Sequence, residues 1–322
     1  MLTIVMYHYV RDLHRSRYPQ IKGLDIELFR QQIDYLLRYY LPVAMEDVIS
    51  AFHERAPLPK NAVLLTFDDG YVDHYQYVFP ILDQKHIRAS FFAPAKAILE
   101  SRVLDVNKIQ YVLASVPDKG RIVESIFQMM DQHRHEIPLE SREFYLQQHA
   151  KASQFDPAEV VFINRMLQVA LPEPLRSQIT DQLFRHYVTT DESAFACELY
   201  MSLDQLRCMR RHGMHIGSHS YDHCCLNALD PAAQARQIDL SLEFLQLIGC
   251  DTGDWTISYP YGTTNDALLG ILASKGCKVG LTTEVALAEP SRNPLLLPRL
   301  DTRDLPKDRE ADPSPWTQMI LA

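Results

Sequence analysis

The sequence predicts an α/β fold with a parallel sheet of about seven strands, enough to close or nearly close a barrel, and a helical insertion. Short apolar runs alternate with amphipathic stretches along most of the chain. This alternation is typical of parallel strands joined by right-handed helical crossovers. A long stretch near the middle then has helical periodicity and no strand pattern.

The apolar runs that we interpret as strands are residues 2–6, 62–65, 89–93, 213–217, 255–259, 277–281 and 295–297. Helical spacing between them predicts helices over residues 28–37, 46–52, 78–84, 203–211, 231–248 and 266–275. Asp25 is a candidate N-cap for the first helix, and Ser202 with Gln205 forms a capping-box pattern. The last stretch, which contains Pro306, Pro313 and Pro315, is interpreted as a tail packed on the surface.

Residues 101–197 are predicted to be the helical insertion within a single domain spanning residues 1–322. Amphipathic runs at residues 121–132, 140–149 and 175–187 support helices there. A structureless loop of this length would be improbable in a compact domain.

Composition restricts the possible partners and the compartment. The chain has 322 residues and a net charge of −9, which argues against nucleic acid as a main partner. No apolar run reaches the roughly 18 residues that a membrane span needs, so we expect no integral membrane segment. Its 6 cysteines have no framework spacing, and the chain enters a strand at once without a signal-peptide pattern. These features predict a cytoplasmic protein with mostly reduced thiols.

The first chemical signal is Asp68-Asp69-Gly70, directly after the apolar run at residues 62–65. Adjacent carboxylates repel each other unless a cation or a shared proton relieves the repulsion. Gly70 permits a tight turn, and the carboxyl ends of buried parallel strands are where α/β barrel enzymes place their chemistry. The alternative is the polar start of an ordinary loop.

The second signal is the pair His219 and His223, which follows another predicted strand. Two histidines and one carboxylate form a known catalytic zinc set, and either Asp68 or Asp69 would supply the oxygen. With 13 histidines in the chain, a chance structural pair is the alternative.

The third signal is Tyr259-Pro260-Tyr261-Gly262, which again ends a strand. Pro260 and Gly262 favour a sharp turn. Such a turn can expose the backbone N–H of Tyr261 to a developing oxyanion, although an ordinary strand-ending turn has the same pattern.

Together and in this order, the three motifs resemble those of the NodB-homology polysaccharide deacetylases, carbohydrate esterase family 4. The resemblance covers about residues 1–100 and 200–305, and we expect the insertion to have no counterpart in the family's core. It implies a distorted (β/α) barrel and the metal-dependent removal of acyl groups, usually acetyl, from sugars. Carried over by position, it implies that Asp68 is the general base and that Asp69, His219 and His223 bind a divalent metal, with zinc the first choice. The backbone N–H of Tyr261 would contribute to the oxyanion hole.

Two departures from the family pattern suggest further site residues. Ser258 stands where the third motif usually has the arginine that orients the catalytic aspartate. Arg299 could reach that carboxylate from another direction, or could be an ordinary surface arginine. The usual late Leu-x-His, which supplies the general acid, is absent, because no histidine follows His223. His8, just after the first predicted strand, is the candidate acid, with a buried structural histidine as the alternative.

These inferences predict an N-deacetylase acting on an acylamino sugar. Its cytoplasmic location would favour a nucleotide-linked or lipid-linked precursor of a bacterial surface polysaccharide, such as the O-antigen of lipopolysaccharide or a capsule. A deformylase or another amidohydrolase acting on a C–N bond is one alternative. A carbohydrate-binding protein with impaired catalysis is another, and the oligomeric state is not predicted.

Overall fold

The computed structural model describes residues 1–153 and 156–321. It divides into two compact units. The first comprises Met1–Leu13, Lys22–Ser101 and Ala196–Ala322, and the second comprises His14–Ile21 and Arg102–Phe195. The prediction of a single domain is not tested by this division, so each unit is described by itself.

The first unit contains a curled parallel sheet, which confirms the predicted α/β fold with a distorted (β/α) barrel. Its strands are β1 (Thr3–Tyr7), β4 (Leu41–Pro42), β5 (Ala62–Phe67), β6 (Ser90–Ala93), β7 (His215–Ser218), β8 (Thr256–Ser258), β9 (Val279–Leu281) and β10 (Leu300–Asp301). The order across the sheet is β10-β1-β5-β6-β7-β8-β9, and β4 pairs with the start of β5. A separate pair, β2 (Val10–Arg11) and β3 (Leu24–Asp25), follows β1 in the chain.

The segment between β9 and β10 links the two ends of the sheet. Leu297 forms a parallel bridge with Leu281, and its N–H donates to the carbonyl of Gly280 at 2.9 Å. Three residues later, β10 pairs with β1. The sheet therefore curls towards closure, as a barrel requires.

The predicted last strand is wrong in position. Residues 294–296, of which Leu295 and Leu296 belong to the apolar run, form a short 3₁₀ turn, Pro294–Leu296. The side chain of Asn293 accepts a hydrogen bond from the N–H of Leu295 and so favours the turn. The strand lies further on, at Leu300–Asp301.

The helices of the first unit are α1 (Ile26–Tyr39), α2 (Met45–His53), α3 (Phe79–Gln84), α4 (Ala95–Leu99), α11 (Leu203–Arg211), α12 (Pro231–Ile248), α13 (Asp266–Ser274) and α14 (Pro315–Leu321). Asp25 caps α1 by accepting from the N–H of Glu27, and the capping box of Ser202 and Gln205 is present at α11. The predicted surface tail instead ends in α14, whose Thr317 and Ile320 are buried.

The second unit is helical. Its helices are α5 (Asp105–Ser115), α6 (Lys119–His133), α7 (Arg142–His149), α8 (Ala158–Arg165) and α9 (Glu173–Tyr187), and α10 (Glu192–Leu199) follows in the chain. Within the described part of residues 102–199 no strand is present, as predicted for the insertion. Across residues 1–153 and 156–321, no helix combines the length and the apolar character that crossing a membrane requires.

The register of the parallel strands determines where the site lies. Tyr7 pairs with Phe67, Ala93 with Ser218, and Ser258 with Leu281. The carboxyl ends of these strands therefore lie along one edge. The residues that directly follow these strands therefore lie at that edge.

Candidate metal and catalytic site

The turns after β5 and β7 present the two acidic and the two imidazole side chains. Asp69 and His223 both have left-handed backbone conformations, with φ of 72° and 59°. Such conformations are uncommon for residues other than glycine and cluster at functional sites. They turn the chain sharply, so that side chains from two distant segments face one another.

Asp69, His219 and His223 lie close enough together to bind one cation. Their potential ligand atoms are all within 4.8 Å of one another. The Nε2 atoms of His219 and His223 are each 3.3 Å from Oδ1 of Asp69. His219 has its other ring nitrogen, Nδ1, 2.7 Å from the carbonyl oxygen of Ser258. With Nδ1 donating to that carbonyl, Nε2 is left as the nitrogen available to a ligand.

Neighbouring groups in this cluster shift the pKa values of Asp69 and His219 in the direction opposite to the effect of burial. Burial alone would raise the pKa of Asp69, but the adjacent imidazoles of His219 and His223 hold it well below its usual value. Burial likewise would lower the pKa of His219, and the two aspartates raise it instead. Oδ1 of Asp69 is buried and has no hydrogen-bond partner within the described residues. A buried carboxylate oxygen that accepts no hydrogen bond and lies beside two imidazole nitrogens is expected of a metal ligand.

Asp68 is held by a buried arginine. Nη1 of Arg299 donates to Oδ1 of Asp68 at 3.0 Å, and Nη2 lies 2.8 Å from Oδ2. Both residues are only 1% exposed, so Arg299 is not the surface residue of the alternative interpretation. Burial would raise the pKa of Asp68, but the charge and hydrogen bonds of Arg299 lower it overall.

Ser258 completes this contact, and sequence reasoning missed it. Its hydroxyl donates to Oδ2 of Asp68 at 3.0 Å and accepts from Nη2 of Arg299 at 3.0 Å. The same residue offers its carbonyl to His219. Its position at the start of the third motif, where the family has arginine, was the available signal.

His8 and Tyr261 lie at the same edge. His8 directly follows β1, and its charge is among the influences that lower the pKa of both Asp68 and Asp69. Tyr261 has φ of 58° within the turn Pro260–Gly262, and its ring packs edge-on against His223 at a centroid distance of 5.1 Å. Their roles as acid and as oxyanion donor stay predictions.

Two more site neighbours were missed by sequence reasoning. The hydroxyl of Tyr71 donates to Oδ2 of Asp69 at 2.6 Å. The buried imidazole of His74 has Nε2 2.8 Å from the carbonyl oxygen of His8. An aromatic residue directly after Asp-Asp-Gly was a usable signal for Tyr71, whereas nothing in the sequence distinguished His74 from other histidines.

Comparison with known proteins decides the family of this chain. The sequence pattern of the polysaccharide deacetylases matches residues 55–159 and 181–280, which is more than half of the chain. The chain belongs to the polysaccharide deacetylase family. This confirms the resemblance drawn from the three motifs. The match includes residues 101–159 and 181–197 of the predicted insertion, contrary to the expectation that the insertion has no counterpart in the family's core.

Relatives within the polysaccharide deacetylase family agree with this placement. The chain is 51% identical over 79 residues to the poly-β-1,6-N-acetyl-D-glucosamine N-deacetylase of Escherichia coli K12. That match spans 24% of this chain and 12% of the enzyme, so the chain covers about an eighth of that relative's length.

Two solved structures share the fold over almost the whole chain. The Streptococcus pyogenes deacetylase PplD, in complex with acetate, matches 99% of this chain and 96% of its own at 19% identity and a TM-score of 0.59. IcaB from Ammonifex degensii matches 99% of this chain and 95% of its own at 18% identity and a TM-score of 0.54. At these identities the likeness shows the fold.

Proposed function

We propose that this protein is a metal-dependent hydrolase that removes the acetyl group from the nitrogen of an N-acetylated amino sugar. One observation carries the proposal. A buried aspartate oxygen without a hydrogen-bond donor faces two imidazole nitrogens, and the adjacent aspartate is paired with a buried arginine. This arrangement combines a cation site with a separate, oriented carboxylate.

Asp69, His219 and His223 would hold the cation. We propose zinc, because two imidazoles and one carboxylate form a known catalytic zinc set. When bound there, the ion supplies a Lewis acid that polarises the acyl carbonyl and makes water more acidic.

Asp68 is the proposed general base. Its lowered pKa keeps the carboxyl ionised at neutral pH, so that it can accept the proton of the attacking water. Arg299 and Ser258 both contact this carboxylate and fix its orientation. A base held in position contributes roughly 10²–10⁴-fold to such a reaction.

His8 and Tyr261 are the proposed partners in the later part of the reaction. The backbone N–H of Tyr261 would donate to the oxygen on which negative charge develops. His8 would protonate the leaving amine of the sugar as the C–N bond breaks.

The proposed substrate class is an N-acetylated glucosamine unit. The name of the E. coli relative supports this sugar, because that enzyme is described as deacetylating poly-β-1,6-N-acetylglucosamine. The scattered cysteines favour a reducing compartment, and this supports a nucleotide-linked or lipid-linked precursor over a finished polymer. We retain the precursor as the proposal and the polymer as its competitor.

The alternative of an impaired carbohydrate-binding protein loses part of its motivation. It was motivated partly by the absence of the motif arginine at position 258. Arg299 makes the expected type of contact with Asp68 from another segment, so the absence at position 258 does not indicate lost catalysis.

Acetate release tests the proposal. Purified protein loaded with zinc is incubated with nucleotide-linked N-acetylglucosamine and, separately, with β-1,6-linked N-acetylglucosamine oligosaccharides. We expect acetate from at least one of these substrates, and we expect a chelator or the Asp68→Asn substitution to abolish its release.

The substrate that releases acetate distinguishes the two substrate classes. Release from the nucleotide-linked sugar alone would support the precursor, and release from the oligosaccharides alone would overturn it. No acetate from either, with zinc, cobalt or manganese, would overturn the deacetylase proposal. Formate from N-formylated analogues would then indicate a deformylase.

A further inference from the structure

The two oxygens of the Asp69 carboxylate have different surroundings. Oδ2 accepts a hydrogen bond from the hydroxyl of Tyr71 at 2.6 Å. Oδ1 faces Nε2 of His219 and Nε2 of His223, each at 3.3 Å. Tyr71 is 0% exposed and Asp69 is 5% exposed. Water therefore has little access to replace the tyrosine hydroxyl at Oδ2.

Tyr71 is held in place by aromatic packing. Its ring stacks on Tyr9 with centroids 3.9 Å apart, and lies nearly parallel to the ring of Tyr200 at 6.2 Å. Tyr71 and Tyr200 also form an antiparallel bridge. A ring fixed in this way cannot rotate its hydroxyl away from Asp69 without disturbing several neighbours.

The turn that places Asp69 next to Tyr71 is equally constrained. Gly70 has φ of 65°, and a Cβ added to it would come within 2.9 Å of the Cβ of Ala93. The carbonyl of Gly70 accepts from the N–H of Met201 at 2.9 Å. The spacing between the carboxylate and the phenol is therefore set by the backbone as well as by packing.

The phenol stays a donor. A tyrosine phenol is protonated at neutral pH, and an ionised carboxylate can only accept, so the hydroxyl of Tyr71 donates to Oδ2 of Asp69. A protonated phenol beside an ionised carboxylate forms a charge-assisted hydrogen bond, which is stronger than a neutral one.

We propose that Tyr71 is a positioning residue of the metal centre, whose hydroxyl occupies Oδ2 so that Asp69 offers a cation only Oδ1. The inference rests on the proposed metal site and goes beyond its three ligands. Removing a group that hydrogen-bonds to a metal ligand and orients it typically weakens metal binding by about 10–100-fold.

Tyr71→Phe tests this directly, because it removes the hydroxyl and leaves the ring. Metal-free protein is titrated with zinc in competition with a chromogenic chelator. We expect the variant to bind zinc roughly 10–100-fold more weakly than the unaltered protein. At zinc concentrations that saturate both proteins, its acetate release should recover most of the loss seen at limiting zinc.

Tyr40→Phe is the matched control. Tyr40 is 2% exposed, and its hydroxyl donates to Oγ1 of Thr317 at 2.9 Å. This variant also loses one buried tyrosine hydrogen bond, so thermal unfolding should report a similar cost. Its zinc affinity should be unchanged, which separates a positioning role from a general loss of stability.

The outcomes distinguish this inference from the proposed function. If Tyr71→Phe binds zinc within about twofold of the unaltered protein while Asp69→Asn abolishes binding, the role of Tyr71 is overturned and the metal site stands. An equal loss of affinity in Tyr40→Phe would also overturn it. If the unaltered protein binds no divalent metal, the proposed function fails first, and the inference fails with it.

Discussion

Arg299 connects three parts of the barrel at a single residue. Besides Asp68, its guanidinium donates from Nε to the carbonyl of Thr282 at 2.9 Å and from Nη1 to the hydroxyl of Thr66 at 3.2 Å. A lysine cannot reproduce this planar set of donors. The orientation of the proposed base therefore depends on an arginine at this position.

Arg299→Lys should lower the rate of acetate release by roughly 10–100-fold, because Asp68 loses its two-point contact while its charge stays balanced. Zinc affinity should change little, since Arg299 contacts none of the three proposed ligands. Steady-state kinetics and chelator competition measure the two effects. Arg292→Lys is the control, because Arg292 pairs with Glu284 on the surface and should leave both values unchanged. An unaltered rate in Arg299→Lys would contradict the orienting role.

His8→Ala tests the proposed general acid. We expect zinc binding to be retained and turnover to fall by about 10²-fold, within the usual range for acid–base groups. His53→Ala is a suitable control, because His53 is exposed and bonds the carbonyl of Lys278. Turnover of His8→Ala that equals that of the control would remove His8 from the mechanism.

At the scale of elements, the π-helical turn that follows Asp68-Asp69-Gly70 in the chain begins with a buried, uncharged histidine. His74 begins a π-helical turn, His74–Val78, and its Nε2 bonds the carbonyl of His8 at the end of β1. Its ring packs edge-on against Phe67 and Tyr71 at centroid distances of 5.4 and 5.6 Å. Burial lowers its pKa from 6.5 to about 4, so the folded protein excludes the proton that the unfolded chain accepts.

Because of this difference in the pKa of His74, lowering the pH should destabilise the folded protein. The unfolded chain binds more protons at His74 below pH 6.5, so the stability due to neutral His74 is complete above that pH and is lost progressively down to about pH 4. By pH 5 the loss should be roughly 2 kcal/mol. Urea unfolding of metal-free protein at pH 8 and pH 5 measures it. His74→Gln should lose less stability over this interval by about that amount, and the exposed His135→Gln should match the unaltered protein. Equal slopes in all three would show that His74 does not titrate as described.

The elements also show what the sequence could and could not predict. The six residues Ala62–Phe67 are all buried, and the apolar run Ala62–Leu65 that begins this strand predicts it from the sequence. The two-residue strand Leu300–Asp301 has no periodicity to read, and the apolar run before it forms a turn because Asn293 and Pro294 favour one. Short strands of this kind are defined by their partners and not by their own residues.

The candidate site likewise contains residues that the sequence indicated and residues that it did not. The motifs identified Asp68, Asp69, His219 and His223 because each stands beside a readable strand. The contact between Arg299 and Asp68 spans 231 residues, and only the closing of the sheet brings the two together. Ser258 and Tyr71 each contact an aspartate through a side-chain hydroxyl, and no spacing rule in a sequence indicates where a hydroxyl will point.

At the scale of the whole molecule, metal binding should contribute to the stability of the fold. A ligand that binds only the folded state stabilises that state. Zinc at 100 times its dissociation constant would add about 2.7 kcal/mol, which for a chain of this size corresponds to a rise of several degrees in the melting temperature.

Removing the metal should therefore lower the melting temperature of the unaltered protein, and Asp69→Asn should abolish this dependence on metal. Asparagine can keep the hydrogen bond from Tyr71 but loses the charge that the two imidazoles stabilise, so metal-free Asp69→Asn should melt at or below the temperature of the metal-free unaltered protein. Zinc should no longer raise it, because the ligand oxygen is lost. Scanning calorimetry of both proteins with and without a chelator provides the four values. If the chelator leaves the unaltered protein's melting temperature unchanged, or if zinc stabilises both proteins equally, the three side chains do not form the cation site that the fold brings together.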